Sequence, residues 1–317
     1  MTRRPARPLA RQSLLIAAAT TLGLVAACKQ NAGPALTDTS SPAAVVAETA
    51  FAPPALDTIP QGPQGDAIRR GRELFLNTGT AAPRYVGSGL NCRNCHLDEG
   101  RKADASPMWA AWGMYPAYRT KDDRISTMQD RIRGCFVYSM NAQISPAGTP
   151  PPYGDDIYRD LETYFAWLAT GAPAGQELKG RGFVTVAKPA MAPDPARGRI
   201  VYEAKCSTCH QPDGAGLRNP DGTYANPPLW GARSFNWGAG MAKTANAAGF
   251  IKANMPLGQD NSLTDQQAWD VAAYVTSRER PRDPRQTGSI TEARQRFHAK
   301  GDFYGQTIDG DLLGDGK

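Results

Sequence analysis

One five-residue pattern, present twice, constrains this chain more than any other feature. Cys92-Arg93-Asn94-Cys95-His96 and Cys206-Ser207-Thr208-Cys209-His210 both read Cys-x-x-Cys-His. Two thiols at that spacing can add to the two vinyl groups of one haem, and the histidine that follows presents an imidazole to the iron. A single copy could instead be a redox dithiol or half of a zinc site. Two copies argue against both, because three histidines and six cysteines do not comfortably furnish zinc centres. The expectation is two covalent haem c groups, held by Cys92, Cys95, Cys206 and Cys209, with His96 and His210 as proximal iron ligands.

The surroundings of the motif are duplicated as well. Asp66 to Phe75 and Asp194 to Tyr202 precede the two motifs, and Pro107-Met108-Trp109 and Pro228-Leu229-Trp230 follow them. Each unit closes on apolar residues spaced by three and four, Ile157, Leu161, Tyr164, Phe165 and Leu168 in one and Ala268, Val271, Tyr274 and Val275 in the other. That spacing puts them on one face of a helix. Both units resemble class I cytochrome c domains, so an all-α fold of two tandem modules is expected, each enclosing one haem. The boundaries read as residues 65–172 and 194–283, joined by a Gly/Pro-rich linker over 173–193 and followed by a polar tail over 284–317. In such modules Pro107 and Pro228 are expected to lend their carbonyls to the far nitrogens of His96 and His210, fixing each ring.

Charge and the N-terminal segment decide the compartment. The net charge of +6 suggests a polyanion partner, but Arg3, Arg4, Arg7 and Arg11 supply four of those charges in a stretch without acids. They precede an apolar run, Leu14 to Ala27, which is too short to span a bilayer and has the form of a signal-peptide core. Residues 1–27 are therefore expected to direct export. Val25-Ala26-Ala27-Cys28 resembles a bacterial lipoprotein cleavage box, which makes Cys28 the expected lipidation site and the protein a periplasmic lipoprotein. Residues 28–64, rich in Ala, Pro, Ser and Thr without apolar periodicity, read as a flexible tether. Nucleic-acid binding is not expected.

Each iron needs a sixth ligand, and only His298 remains among the histidines. In the second module Asn254-Met255-Pro256 lies 45 residues after His210, the usual place for a methionine ligand, with Met241 as the competitor 31 residues after it. The first module lacks a Met-Pro pair and contains Cys135, which has no evident disulfide partner. Ile125, Met128, Ile132 and Cys135 fall at steps of three, four and three, so a helix there turns Cys135 inward, with Arg131 one turn before it and Ser139 one turn after. An inert buried cysteine on an ordinary amphipathic helix is the plainer reading of the same spacing. The other is a thiolate on iron in a cationic pocket for an anion, to which Arg119, Lys121 and Arg124 add charge against Asp122, Asp123 and Asp130.

Arg131-Ile132-Arg133-Gly134-Cys135-Phe136-Val137-Tyr138-Ser139-Met140-Asn141 closely resembles the R-I-x-x-C-F-x-R-S-M-N segment of the dihaem thiosulfate dehydrogenases. The likeness continues through Phe235-Asn236-Trp237-Gly238-Ala239-Gly240-Met241 and Phe250 to Pro256, spanning roughly residues 65–283. It implies an enzyme that joins two thiosulfate ions into tetrathionate and passes two electrons to a small periplasmic acceptor such as a cytochrome c; tetrathionate reduction by the same groups stays open. It further implies Cys135 as catalytic residue and distal ligand of the first haem, Arg119, Arg131 and Ser139 as substrate-binding residues, and Met255 as distal ligand of the second. Tyr138 stands where the family has Arg, which thins the expected cationic cage. Asn254 stands where some members have a Lys that exchanges onto iron, so no such switch is expected. A dihaem electron carrier without substrate chemistry is the alternative, and a sulfur-transfer component acting on a carrier protein is a further one.

Overall fold

The computed structural model describes residues 51–316; the expected leader, Cys28 and the tether up to residue 50 lie outside the described residues. The fold is mostly helical. The longer helices are α1 (Pro63–Leu76), α2 (Met128–Tyr138), α3 (Asp156–Leu168), α4 (Pro195–Lys205), α5 (Thr244–Asn254), α6 (Asp265–Thr276) and α7 (Ile290–Phe297). Three two-stranded antiparallel hairpins supplement them: β1 (Ala117–Arg119) with β2 (Arg124–Ser126), β3 (Leu217–Arg218) with β4 (Tyr224–Asn226), and β5 (Thr307–Ile308) with β6 (Asp311–Leu312).

The sequence duplication is a structural one. α1 packs on α3, and α4 packs on α6. Both crossings are built alike. A β-carbon added at Gly71 would stand 2.0 Å from the Asp160 carbonyl oxygen, and one at Gly198 would stand 1.9 Å from that of Asp270, so glycine alone admits the close approach. Beside each glycine an arginine clamps the same aspartate through two bonds. Arg70 donates to both Asp160 oxygens at 2.8 and 2.9 Å, and Arg197 donates to both Asp270 oxygens at 2.8 Å. The apolar stripes read from the sequence meet at these crossings. Leu161, Tyr164, Phe165 and Leu168 are buried in the first, and Ala268, Val271, Tyr274 and Val275 in the second.

The modules are not beads on a string. The largest core cluster joins first-module residues such as Phe75, Trp109 and Phe136 to Phe235 and Trp237 from the second module and to Tyr304 and Leu313 from the tail. The connection between modules is pinned to the first: Asp104 and Ser106 donate their N–H groups to the carbonyls of Gly180 and Gly182 at 2.7 and 2.6 Å. Residues 51–62 also lie along the first module, with Phe51 against Trp109 at 5.2 Å and the Arg101 guanidinium on the carbonyls of Pro53 and Pro54. The tail holds a buried polar knot in which both ring nitrogens of His298 are engaged, one by Asp283 at 2.9 Å and the other by Asp302 at 2.8 Å. The ring stacks on Tyr304 with centroids 4.0 Å apart.

Candidate active site

The first motif opens on a short turn, Cys92–Asn94, set by a reciprocal cap between Asn91 and Asn94. Thr78 fastens it to α1, its hydroxyl accepting from the Cys92 N–H at 3.1 Å and lying 3.3 Å from Cys92 Sγ. Burial pushes both thiols up to about 12, so Cys92 and Cys95 are neutral. His96 is oriented by its Nδ1, which sits 2.7 Å from the Ser106 carbonyl oxygen. The second motif repeats the arrangement, with His210 Nδ1 2.9 Å from the Pro227 carbonyl and burial lifting the Cys206 thiol to about 11.

These acceptors correct the expectation that Pro107 and Pro228 would serve. The residue before each expected proline supplies the carbonyl. Pro107 caps the short helix Met108–Trp112, and its carbonyl is taken by the Ala111 N–H at 3.2 Å; the Pro228 carbonyl faces the Ser234 hydroxyl at 3.4 Å. With φ fixed by its ring, each proline turns the chain away and leaves the preceding carbonyl aimed at the imidazole.

A cavity of about 290 Å³ lies between the first motif and α2. Cys92, Cys95 and His96 line one wall, and Arg131, Cys135 and Ser139 line the other. α2 starts at Met128 because Thr127 and Asp130 cap each other reciprocally. Ile125 therefore does not extend the helical face as its spacing suggested. It lies in β2 and is 63% exposed, while Met128, Ile132 and Phe136 form the buried face. Cys135 is aimed into the cavity, and Arg131 Nη1 donates to its Sγ at 2.9 Å. Burial opposes ionisation of this thiol, yet Arg131, His96 and Arg119 outweigh it and bring it down to about 6. The helix that carries Cys135 thus presents its sulfur to the cavity that His96 also lines. Arg119 on β1 contributes through its field while paired with Asp122 at 2.8 Å, and Ser139 caps the C-terminus of α2.

Tyr138, where an arginine was expected, does not leave the region short of cations. Lys121 Nζ lies 3.5 Å from the centre of its ring, and the Arg285 guanidinium carbon lies 5.4 Å from it. Nothing in the sequence pattern ties Arg285 to this region, because the tail reaches Tyr138 only through the folded chain.

In the second module Met255 caps the end of α5, donating its N–H to the Ile251 carbonyl at 2.9 Å. Asn254 beside it is fully buried, its amide reaching the Asp104 carbonyl of the first module at 3.3 Å. The competitor Met241 packs instead against the large cluster of the first module and the tail.

The donor chemistry suits covalent haem c. Each motif brings two thiols and one imidazole whose far nitrogen is already tied to a carbonyl, and in the first module the thiol pair, the imidazole and the Cys135 sulfur share one cavity.

A cytochrome c family model matches residues 195–279. A thiosulfate dehydrogenase of Stutzerimonas stutzeri (strain A1501) is 47% identical over 85% of this chain and 86% of its own length. One from Thiomonas intermedia (strain K12) is 43% identical over 96% of this chain and 97% of its own length. Among solved structures, the thiosulfate dehydrogenase TsdBA of Marichromatium purpuratum is similar with a TM-score of 0.82 and 49% identity, over 86% of this chain. The present chain spans 59% of that longer solved chain.

Proposed function

Because the chain belongs to the thiosulfate dehydrogenase family, we propose that it oxidatively couples two thiosulfate ions to tetrathionate at Cys135 and sends two electrons out through two covalently bound haems. The observation that carries this reading is the Cys135 sulfur held by Arg131 in a cavity whose opposite wall bears Cys92, Cys95 and His96. When bound, the haems supply the one-electron acceptors.

The chain's own residues do the rest. Two dianions must be brought together, which needs fixed cations. The guanidinium of Arg131 matches oxyanion geometry, Arg119 adds positive field, and the Ser139 hydroxyl adds a donor. The Cys135 thiolate bonds to the sulfane sulfur of one thiosulfate, RS⁻ + S₂O₃²⁻ → RS–S–SO₃⁻ + 2e⁻, the two electrons being those that bound haems would accept. A second thiosulfate then attacks that sulfane sulfur, releasing tetrathionate and returning Cys135 as thiolate, RS–S–SO₃⁻ + S₂O₃²⁻ → RS⁻ + S₄O₆²⁻. Since the thiolate is the leaving group, the same groups serve tetrathionate reduction when electrons are supplied.

His96 and Cys135 would hold the first iron, His210 and Met255 the second. A thiolate at the first iron would donate electron density, which would set the first potential below the second and direct electrons away from the chemistry. The acceptor is then a small carrier such as a cytochrome c. Export by residues 1–27 and anchoring through Cys28 would put the enzyme in the periplasm, on the membrane surface.

Replacing Cys135 by Gly tests the assignment. Both haems should stay attached, since attachment depends on other cysteines, and one of them should gain a high-spin spectrum. Thiosulfate oxidation should fall to background. An unchanged spectrum with normal turnover would leave a dihaem electron carrier as the better reading.

A further inference from the structure

A second cationic concavity lies behind Tyr138, outside the cavity that holds Cys135. It has a volume of about 370 Å³ and is bounded by the β1–β2 turn, the loop over residues 237–243 and α7. Lys121, Lys243, Arg285 and Arg296 all line it. The carboxylates close by are already committed. Asp283 is bound by Arg285 and His298, and Asp302 lies against His298 and is 2% exposed in its side chain. Among the described residues Lys121, Lys243 and Arg296 have no carboxylate within ion-pair distance, Lys121 donating instead to the Gly238 carbonyl.

A second, independent feature has the same polarity. α5, eleven residues long, begins at this concavity with Lys243 at its N-cap and no side-chain cap, and Asn246 of its first turn lines the wall. The first N–H of α5, from Thr244, is taken by the Gly301 carbonyl at 2.9 Å, so what the helix start adds here is the positive end of its dipole.

The concavity lies beside the helix that carries the thiol. Lys121 lies over one face of Tyr138, and Ser139 is the next residue of the chain. Burial, with Arg285, Arg131 and Arg119, outweighs Asp283 and brings Lys121 down to about 7, so an anion beside it would help it to keep its proton.

We propose that this concavity is an oxyanion-binding vestibule that collects substrate dianions and passes them to the Cys135 pocket. The identity of the substrate rests on the thiosulfate reading above; the anion site does not. Its ligand class is the small tetrahedral or sulfonate-like dianion, and sulfate is the unreactive probe. The tail then has a role that its polar composition did not suggest, because Arg285 and Arg296 are tail residues and the His298 knot holds them in place.

The experiment is sulfate titration by calorimetry on the full dihaem protein, with thiosulfate kinetics over a range of ionic strength alongside. Lys243→Gln with Arg296→Gln should weaken one sulfate-binding event by about tenfold. The same pair should raise the thiosulfate KM about threefold or more at low salt, with the difference vanishing at high salt. A control pair, Lys179→Gln with Lys188→Gln, removes the same charge from exposed positions in the connection and should leave sulfate binding intact. Unchanged sulfate affinity in the first pair overturns the proposal, and so does an equal loss in the control pair. A protein that binds sulfate as described but does not oxidise thiosulfate keeps the vestibule and removes the enzymatic reading.

Discussion

Gly71→Ala tests the helix crossing that builds the first module. The added methyl carbon would stand 2.0 Å from the Asp160 carbonyl oxygen and 2.8 Å from the Tyr164 β-carbon. Ordinary contact begins near 3.4 Å, so α1 and α3 must part by about 1.4 Å along that line. Neither obstacle can rotate away, one being main chain and the other a β-carbon. Parting the helices loosens Ile68, Phe75, Leu161 and Tyr164, all buried at the crossing, and a gap of that size forfeits about half of each dispersion contact. Overpacking costs about 1–3 kcal/mol where side chains can yield. Here they cannot, so about 3 kcal/mol or more is expected even after about 1 kcal/mol gained from the better helix propensity of alanine. Thermal unfolding followed by far-ultraviolet circular dichroism should show the midpoint falling by roughly 6–12 °C. Gly198→Ala should behave the same way, since its methyl would lie 1.9 Å from the Asp270 carbonyl. A Gly71→Ala protein within about 1 kcal/mol of the parent would refute the close-crossing argument.

Arg131→Leu removes the donor 2.9 Å from the Cys135 sulfur, a charge-assisted bond worth roughly 1.5–3 kcal/mol, so kcat/KM for thiosulfate should drop by about tenfold to a hundredfold with both haems retained; normal kinetics would return Arg131 to an ordinary helix residue. Cys209→Ser should leave the first haem in place and loosen attachment of the second, read as the mass of the denatured chain. Burial disfavours the charged form of His298, but Asp283 and Asp302 outweigh it and raise its pKa above 6.5. Its pairing therefore stabilises fully below about pH 6.5 and is lost as pH rises through the higher folded value. Hydrogen exchange in the tail should quicken across that window, and His298→Gln should flatten the dependence; a tail whose exchange is unaffected by pH in the parent would remove His298 as its lock.

The two Cys-x-x-Cys-His motifs were legible because their chemistry depends on local spacing. Cys-x-x-Cys-His needs no knowledge of the fold, and the apolar steps of three and four located α3 and α6 directly. The histidine acceptors were missed by one residue. A proline's carbonyl direction depends on the residues C-terminal to it, and Pro107 spends its carbonyl on the turn at Ala111. Ile125 was drawn into the helix by its spacing, although Thr127 and Asp130 carry a start signal that outranks periodicity. The paired clamps were visible as Arg70-Gly71 and Arg197-Gly198, but their aspartates lie 90 and 73 residues away, and nothing local links them. The tail was least legible. Its burial depends on His298, Asp283, Asp302 and Tyr304 meeting in space, and a stretch with few apolar residues gives no periodic sign of that.

The measurement closest to the central claim is anaerobic mixing of the oxidised dihaem protein with thiosulfate, following haem absorbance and the sulfur products together. Both haems should be reduced, with one tetrathionate formed for every two electrons taken up, and neither event should occur in a Cys135→Gly protein that keeps its haems. Haems that stay oxidised in the unaltered protein, or tetrathionate formed at the normal rate without Cys135, would contradict the central claim.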